Sequence, residues 1–182
     1  MPTSCSSTQT VTFDPGTISA HLDVATLQDS LDETDVEAVL VACGKVVNAK
    51  PANPDPHGLQ WTAFGIVDDD PLPTVVPGAV SQREGAATTV SVPITLSAPS
   101  GRTVTAPWQT EDQTAKAGSD YTATSGTVTF APGETTKYVT VTVLNDSVRE
   151  PDELFLIRFT GATNAKLGGY YGVGFVQILN DD

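Results

Sequence analysis

Histidine and cysteine are almost absent from this chain, which has two of each in 182 residues: His21, His57, Cys5 and Cys43. Two cysteines make neither a disulfide framework nor, alone, a metal site. Two independent thiols are expected rather than a bridge. The same four residues show no paired-ligand spacing, so zinc is a poor fit. No third residue is placed beside either histidine to complete a nucleophilic set, so no catalysis is expected. Positive charge is also scarce, with nine Lys and Arg against 22 Asp and Glu and a net charge of −13. That argues against nucleic acid or anionic lipid as a partner, since both need a positive surface. No run approaches the ~20 apolar residues of a membrane span, so membrane insertion is not expected. The residues from Met1 to Ser7 include neither the basic nor the apolar region of a secretory signal. Helical periodicity is missing almost throughout, while Thr, Val, Ala, Gly and Pro dominate. An all-β chain with many turns remains.

What the chain has in excess is carboxylate, and one stretch concentrates it. Val139, Val141 and Val143 alternate with Thr140 and Thr142 as in a half-buried strand, and Leu154 to Phe159 begins another. Between them, Asn145-Asp-Ser-Val-Arg-Glu-Pro-Asp-Glu153 carries five side-chain oxygen donors: Asn145, Asp146, Glu150, Asp152 and Glu153. Carboxylates this crowded repel unless a cation or a proton lies among them, and oxygen ligands of this kind suit Ca²⁺. The competing reading is a solvated acidic turn.

An internal repeat sets the organisation. Val11-Thr-Phe-Asp-Pro-Gly16 recurs as Val128-Thr-Phe-Ala-Pro-Gly133, and each is followed by a strand-like run, Ile18–Leu27 and Thr135–Leu144. Gln28–Glu33 then parallels Asn145–Glu150, and Asp68-Asp-Asp70 parallels Asn180-Asp-Asp182. The second copy has an N-terminal half, with strands expected near Thr88–Leu96 and Thr103–Gln109; the first has only ten residues before its Val11. Residues 1–70 are therefore expected to form a partial β unit and residues 71–182 a full domain. Half a sandwich leaves an edge uncovered, so strand completion in trans by another chain is one open expectation. Completion by residues 1–10 with the 45–63 insertion, or by sequence upstream, are the others. Tyr170-Tyr171, set among glycines, reads as a hairpin covering the sheet end, with an exposed contact patch as the alternative.

With these residues in view, the second unit resembles a Calx-β domain. The resemblance is carried by Thr110–Tyr121, by Gly126-Thr-Val-Thr-Phe-Ala-Pro-Gly133, by the Asn145–Phe155 stretch and by the terminal Asn180-Asp-Asp182; residues 11–70 resemble only the C-terminal half of such a domain. It implies an immunoglobulin-like antiparallel β-sandwich preceded by a partial β-sandwich unit. It also implies Ca²⁺ ligands gathered at one end of the sandwich: Glu84, Asp112 in the Thr-Glu-Asp loop, Asp146, the carbonyl of Val148, Glu150, Glu153, Asp181 and Asp182. In the first unit Val36 replaces the second Glu and the Thr-Glu-Asp loop is missing, so no site is expected there. The functional expectation is a non-enzymatic structural or adhesive module stiffened by Ca²⁺. It would be displayed on the exterior of a virion, as capsid or tail decoration, or on a cell surface, with other subunits of that assembly as partners. The alternative is a regulatory calcium sensor within a larger protein.

Overall fold

The computed structural model describes residues 9–25, 31–33, 36–43, 60–85 and 88–180. The chain separates into two compact units, 1–30 and 31–182. Every regular element among the described residues is a strand, and no helix is long and apolar enough to cross a membrane.

Residues 31–182 begin with an antiparallel hairpin, β1 (Val36–Cys43) with β2 (Gln60–Val67). A two-layer sandwich follows. One sheet holds β10 (Lys166–Leu167), β3 (Thr74–Pro77), β5 (Thr88–Leu96) and β8 (Thr136–Val143), in that order. The other holds β4 (Ala79–Arg83), β11 (Val173–Leu179), β9 (Glu153–Phe159), β6 (Val104–Asp112) and β7 (Ser125–Phe130). Alternation decides which faces meet. Val90, Val92, Ile94, Val139, Val141 and Val143 from the first sheet pack against Val104, Ala106, Trp108, Phe130, Phe155, Ile157, Val176 and Ile178 from the second. The immunoglobulin-like all-β fold is thus present, and β5 has the expected bounds.

The chain changes sheets at Gly78. β3 pairs with β5, whereas β4 runs parallel to β11 in the opposite layer. The crossing needs a residue without a side chain, because a Cβ at Gly78 would lie 2.8 Å from Pro93 Cγ and 3.0 Å from its carbonyl. This crossing carries β4 to the end of the sandwich where Glu84 follows it.

Three expectations are corrected. Residues 9–25 contain no strand, and Val11, Phe13, Ile18, Leu22 and Val24 are exposed. Their repeat counterparts Val128 and Phe130 are buried because β7 pairs with β6, a strand that residues 1–70 do not duplicate. Thr110-Glu-Asp112 is the end of β6 rather than a loop: Thr110, Glu111 and Asp112 pair with Ile157, Leu156 and Phe155 of β9. Tyr170 and Tyr171 stand 71% and 82% exposed in an edge-to-face pair, so they do not cover the sheet end. Cys5 and the side chain of Cys43 lie outside the described residues, as do residues 48–58.

Candidate metal centre

Two turns and the end of β4, at one end of the sandwich, position the acidic groups. The first follows β6. Gly118 takes φ +98°, which favours glycine, and closes a turn in which the Gly118 N–H donates to the Tyr121 carbonyl at 2.8 Å. Asp120 locks that turn: its Oδ2 accepts from the Lys116 N–H at 2.5 Å, and its own N–H donates to the Lys116 carbonyl at 3.0 Å. Next to it, Tyr121 is buried and stacked on Phe155, with ring centroids 4.1 Å apart. Asp120 is therefore held at the rim of the core and is itself 7% exposed.

The second turn runs from β8 to β9. Its start is tied to Asp120, whose carbonyl accepts from the Leu144 N–H at 2.9 Å. Its end is tied to the first turn, since the Leu154 N–H donates to Thr114 Oγ1 at 2.7 Å. Between these anchors, Glu150 and Glu153 bring their carboxylates to Asp120, each offering an oxygen within 4.8 Å of the others. The third segment follows β4, where the Glu84 N–H donates to the Leu179 carbonyl at 2.9 Å. Glu84 is nearly buried and its charge acts on Glu153.

Electrostatics mark Glu153 as the focus. Burial, then a hydrogen bond shared with the Asp120 carboxylate, then the charges of Asp120, Glu150 and Glu84 push its carboxyl up to about 7. Its Oε2 is buried with no hydrogen-bond partner among the described residues. A buried acceptor left without a partner costs roughly 1–3 kcal/mol, and a cation held among these oxygens would remove that cost. Oxygen-only donors clustered in this way fit a hard divalent ion.

Of the expected ligands, Glu150 and Glu153 converge with Asp120, and Glu84 acts on Glu153 only through its charge. Asp112 does not join the group, because its exposed carboxylate braces the first turn. Oδ1 of Asp112 accepts from the Tyr121 hydroxyl at 2.5 Å and from the Ala117 N–H at 3.0 Å. Those two bonds, the Tyr121 one first, hold the Asp112 carboxyl below its ordinary range. Asp146 accepts from the Val148 N–H at 2.7 Å in a local turn, and the Val148 carbonyl accepts from Asn180 Nδ2 at 3.3 Å. Asp181 and Asp182 lie outside the described residues. Asp120 was not among the expected ligands, although it stands inside the Gly118-Ser-Asp-Tyr121 run. A polar residue between a glycine turn and a core tyrosine was the available signal. Replacing Tyr121 by Phe removes the brace while keeping the ring stack. Urea unfolding should show a loss of about 1 kcal/mol, and NMR titration should show the Asp112 carboxyl returning towards its ordinary range.

A family model for the Calx-beta domain matches residues 6–70 and 68–182. The chain belongs to the Calx-beta family. Sodium/calcium exchanger 1 of Rattus norvegicus is 38% identical over 97 residues, which is 52% of this chain and 10% of the exchanger. Adhesion G-protein coupled receptor V1 of Danio rerio is 31% identical over 120 residues, 66% of this chain and 2% of the receptor. The chain thus spans a tenth or less of these relatives. Among solved structures, the apo-form Calx CBD1 domain superposes with a TM-score of 0.57 at 26% identity, over 62% of this chain and all of that one. CBD12 from CALX1.2 gives 0.54 at 28%, over 58% of this chain and 43% of that one. These Calx-beta neighbours agree with the sandwich described above.

Proposed function

We propose that this Calx-beta chain is a non-catalytic, calcium-responsive module. Its second repeat binds Ca²⁺ through Asp120, Glu150 and Glu153, with Glu84 adding negative charge beside them. One observation carries the reading: Glu153 Oε2 is buried with no hydrogen-bond partner among the described residues, in a carboxylate crowded by Asp120, Glu150 and the charge of Glu84. The ion draws the two turns and the end of β4 together, so calcium occupancy becomes stiffness at one end of the sandwich. The similarity to sodium/calcium exchangers favours the regulatory alternative, and decoration of a virion draws no support from the relatives above. Calorimetric titration of the full chain distinguishes them. A sensor should bind with Kd in the range of about 10⁻⁷–10⁻⁵ M, whereas a structural extracellular module binds at about 10⁻⁴–10⁻³ M. Absence of any calcium heat or stabilisation would end the calcium reading.

A further inference from the structure

Away from the second repeat's acidic cluster, the chain buries another polar group where its two repeats join. By the internal alignment Glu33 corresponds to Glu150 and Asp68 to Asn180, so Asp32, Glu33 and Asp68 form the acidic end of the first repeat. Asp32 is 2% exposed, and it bridges to Ser100, which is 1% exposed, in the turn between β5 and β6. The Gly101 N–H donates to the Asp32 carbonyl at 2.7 Å, and Ser100 Oγ donates to Asp32 Oδ2 at 3.0 Å. Arg102 Nη2 donates to Asp32 Oδ1 at 3.0 Å and stands 3.7 Å from Asp68 Oδ2. Asp68 in turn accepts from the Glu33 N–H at 3.2 Å and from the Asp70 N–H at 3.3 Å.

We infer that Arg102 is the resident cation of the first repeat's acidic end, and that it latches the joint between the repeats without calcium. A buried carboxylate needs a counter-charge, and a partly buried guanidinium supplies a permanent one with directed N–H donors. Arg102 reaches both strand-end segments of the first repeat, Asp32 ahead of β1 and Asp68 after β2. The position equivalent to Glu153 is Val36, which offers no side-chain oxygen for a metal. Close approach is built in at Gly101, where a Cβ would lie 3.0 Å from Glu33 Cγ and 3.1 Å from the Asp32 carbonyl. The latch shares no atom with Asp120, Glu150 or Glu153, so either reading can fail while the other stands.

Amide hydrogen exchange on the full chain tests this, read at Gly101 and Glu33 with the β5 and β8 amides as the internal reference. Wild-type rates at the two reporters should be the same in millimolar Ca²⁺ and in chelator. In Arg102→Ala they should rise by about tenfold or more in both conditions, with the reference amides unchanged. Arg102→Lys should recover part of the protection, and Gly101→Ala should lose it with every charge in place. Wild-type-like rates in Arg102→Ala would overturn the inference. So would a severalfold slowing of the wild-type reporters by calcium, which would make the metal the latch.

Discussion

Calcium at about a hundred times its Kd should stabilise the folded chain by about 2.7 kcal/mol through mass action. For a domain of this size that raises the unfolding midpoint by roughly 5–10 °C. Chelator should reverse the rise, and both Asp120→Asn and Glu150→Gln should abolish most of it. The sign of their effect without calcium is the sharper test. Each substitution removes a negative charge from a group in which Glu153 is already repelled by Asp120, Glu150 and Glu84. In chelator the variants should therefore unfold at or above the wild-type midpoint, although they have lost the ligand. A residue that only packed or braced the turn would lower the midpoint in both conditions. Asp120→Asn keeps the amide-facing oxygen that accepts from the Lys116 N–H, which separates loss of charge from loss of the turn. If Asp120→Asn responds to calcium like wild type, the ion sits elsewhere. The Asp146 loop would be the next place to look.

The sandwich was legible in the sequence because alternation reports burial directly. Val139, Val141 and Val143 read as one inward face and form one, and β5 begins and ends where its pattern does. Alternation says which residues could be buried and is silent on whether a partner strand exists. Val11, Phe13, Leu22 and Val24 carry the pattern without the pairing, and so they lie exposed. The candidate site divides the same way. Glu150 and Glu153 are found by their crowding within one loop. Asp120 is 30 residues away from Glu150 in sequence and reaches it only because the glycine turn and the Tyr121–Phe155 stack hold it there. Asp112 sits in the same motif as Asp120, yet the tyrosine hydroxyl claims its carboxylate. No charge count separates those two aspartates, because which one faces the cluster is settled by the turn. Arg102 was invisible for a related reason: a single arginine in a turn acquires a role only when the fold sets Asp32 and Asp68 against it.

The elevated Glu153 carboxyl makes a second large prediction, because it links both stability and calcium affinity to pH. An ordinary glutamate titrates at about 4.3, whereas burial, a hydrogen bond shared with Asp120 and three like charges push this one up to about 7 in the folded chain. The calcium-free folded state therefore holds a proton that the unfolded state releases. Stability from this group is fully present below about pH 4 and is lost as pH rises through about 7. Glu111, Asp112 and Glu134 have carboxyls below their ordinary range, so their stabilisation is lost only at acid pH, and among the shifted carboxyls of the described residues the window from pH 5 to 8 belongs to Glu153. In chelator, the midpoint should fall across that window, and Glu153→Gln should flatten it. Calcium must displace the same proton, so its apparent affinity should rise about tenfold per pH unit below 7 and level off above it. Titrations at pH 6 and pH 8 should differ by about tenfold. Repeating the pH 6 titration in buffers of different ionisation enthalpy should show close to one proton released per ion. An affinity that is flat from pH 6 to 8 would mean that Glu153 is already ionised without the metal. The repulsion that makes this cluster receptive to a cation would then be absent, and the stabilisation by calcium predicted above would lose its physical source.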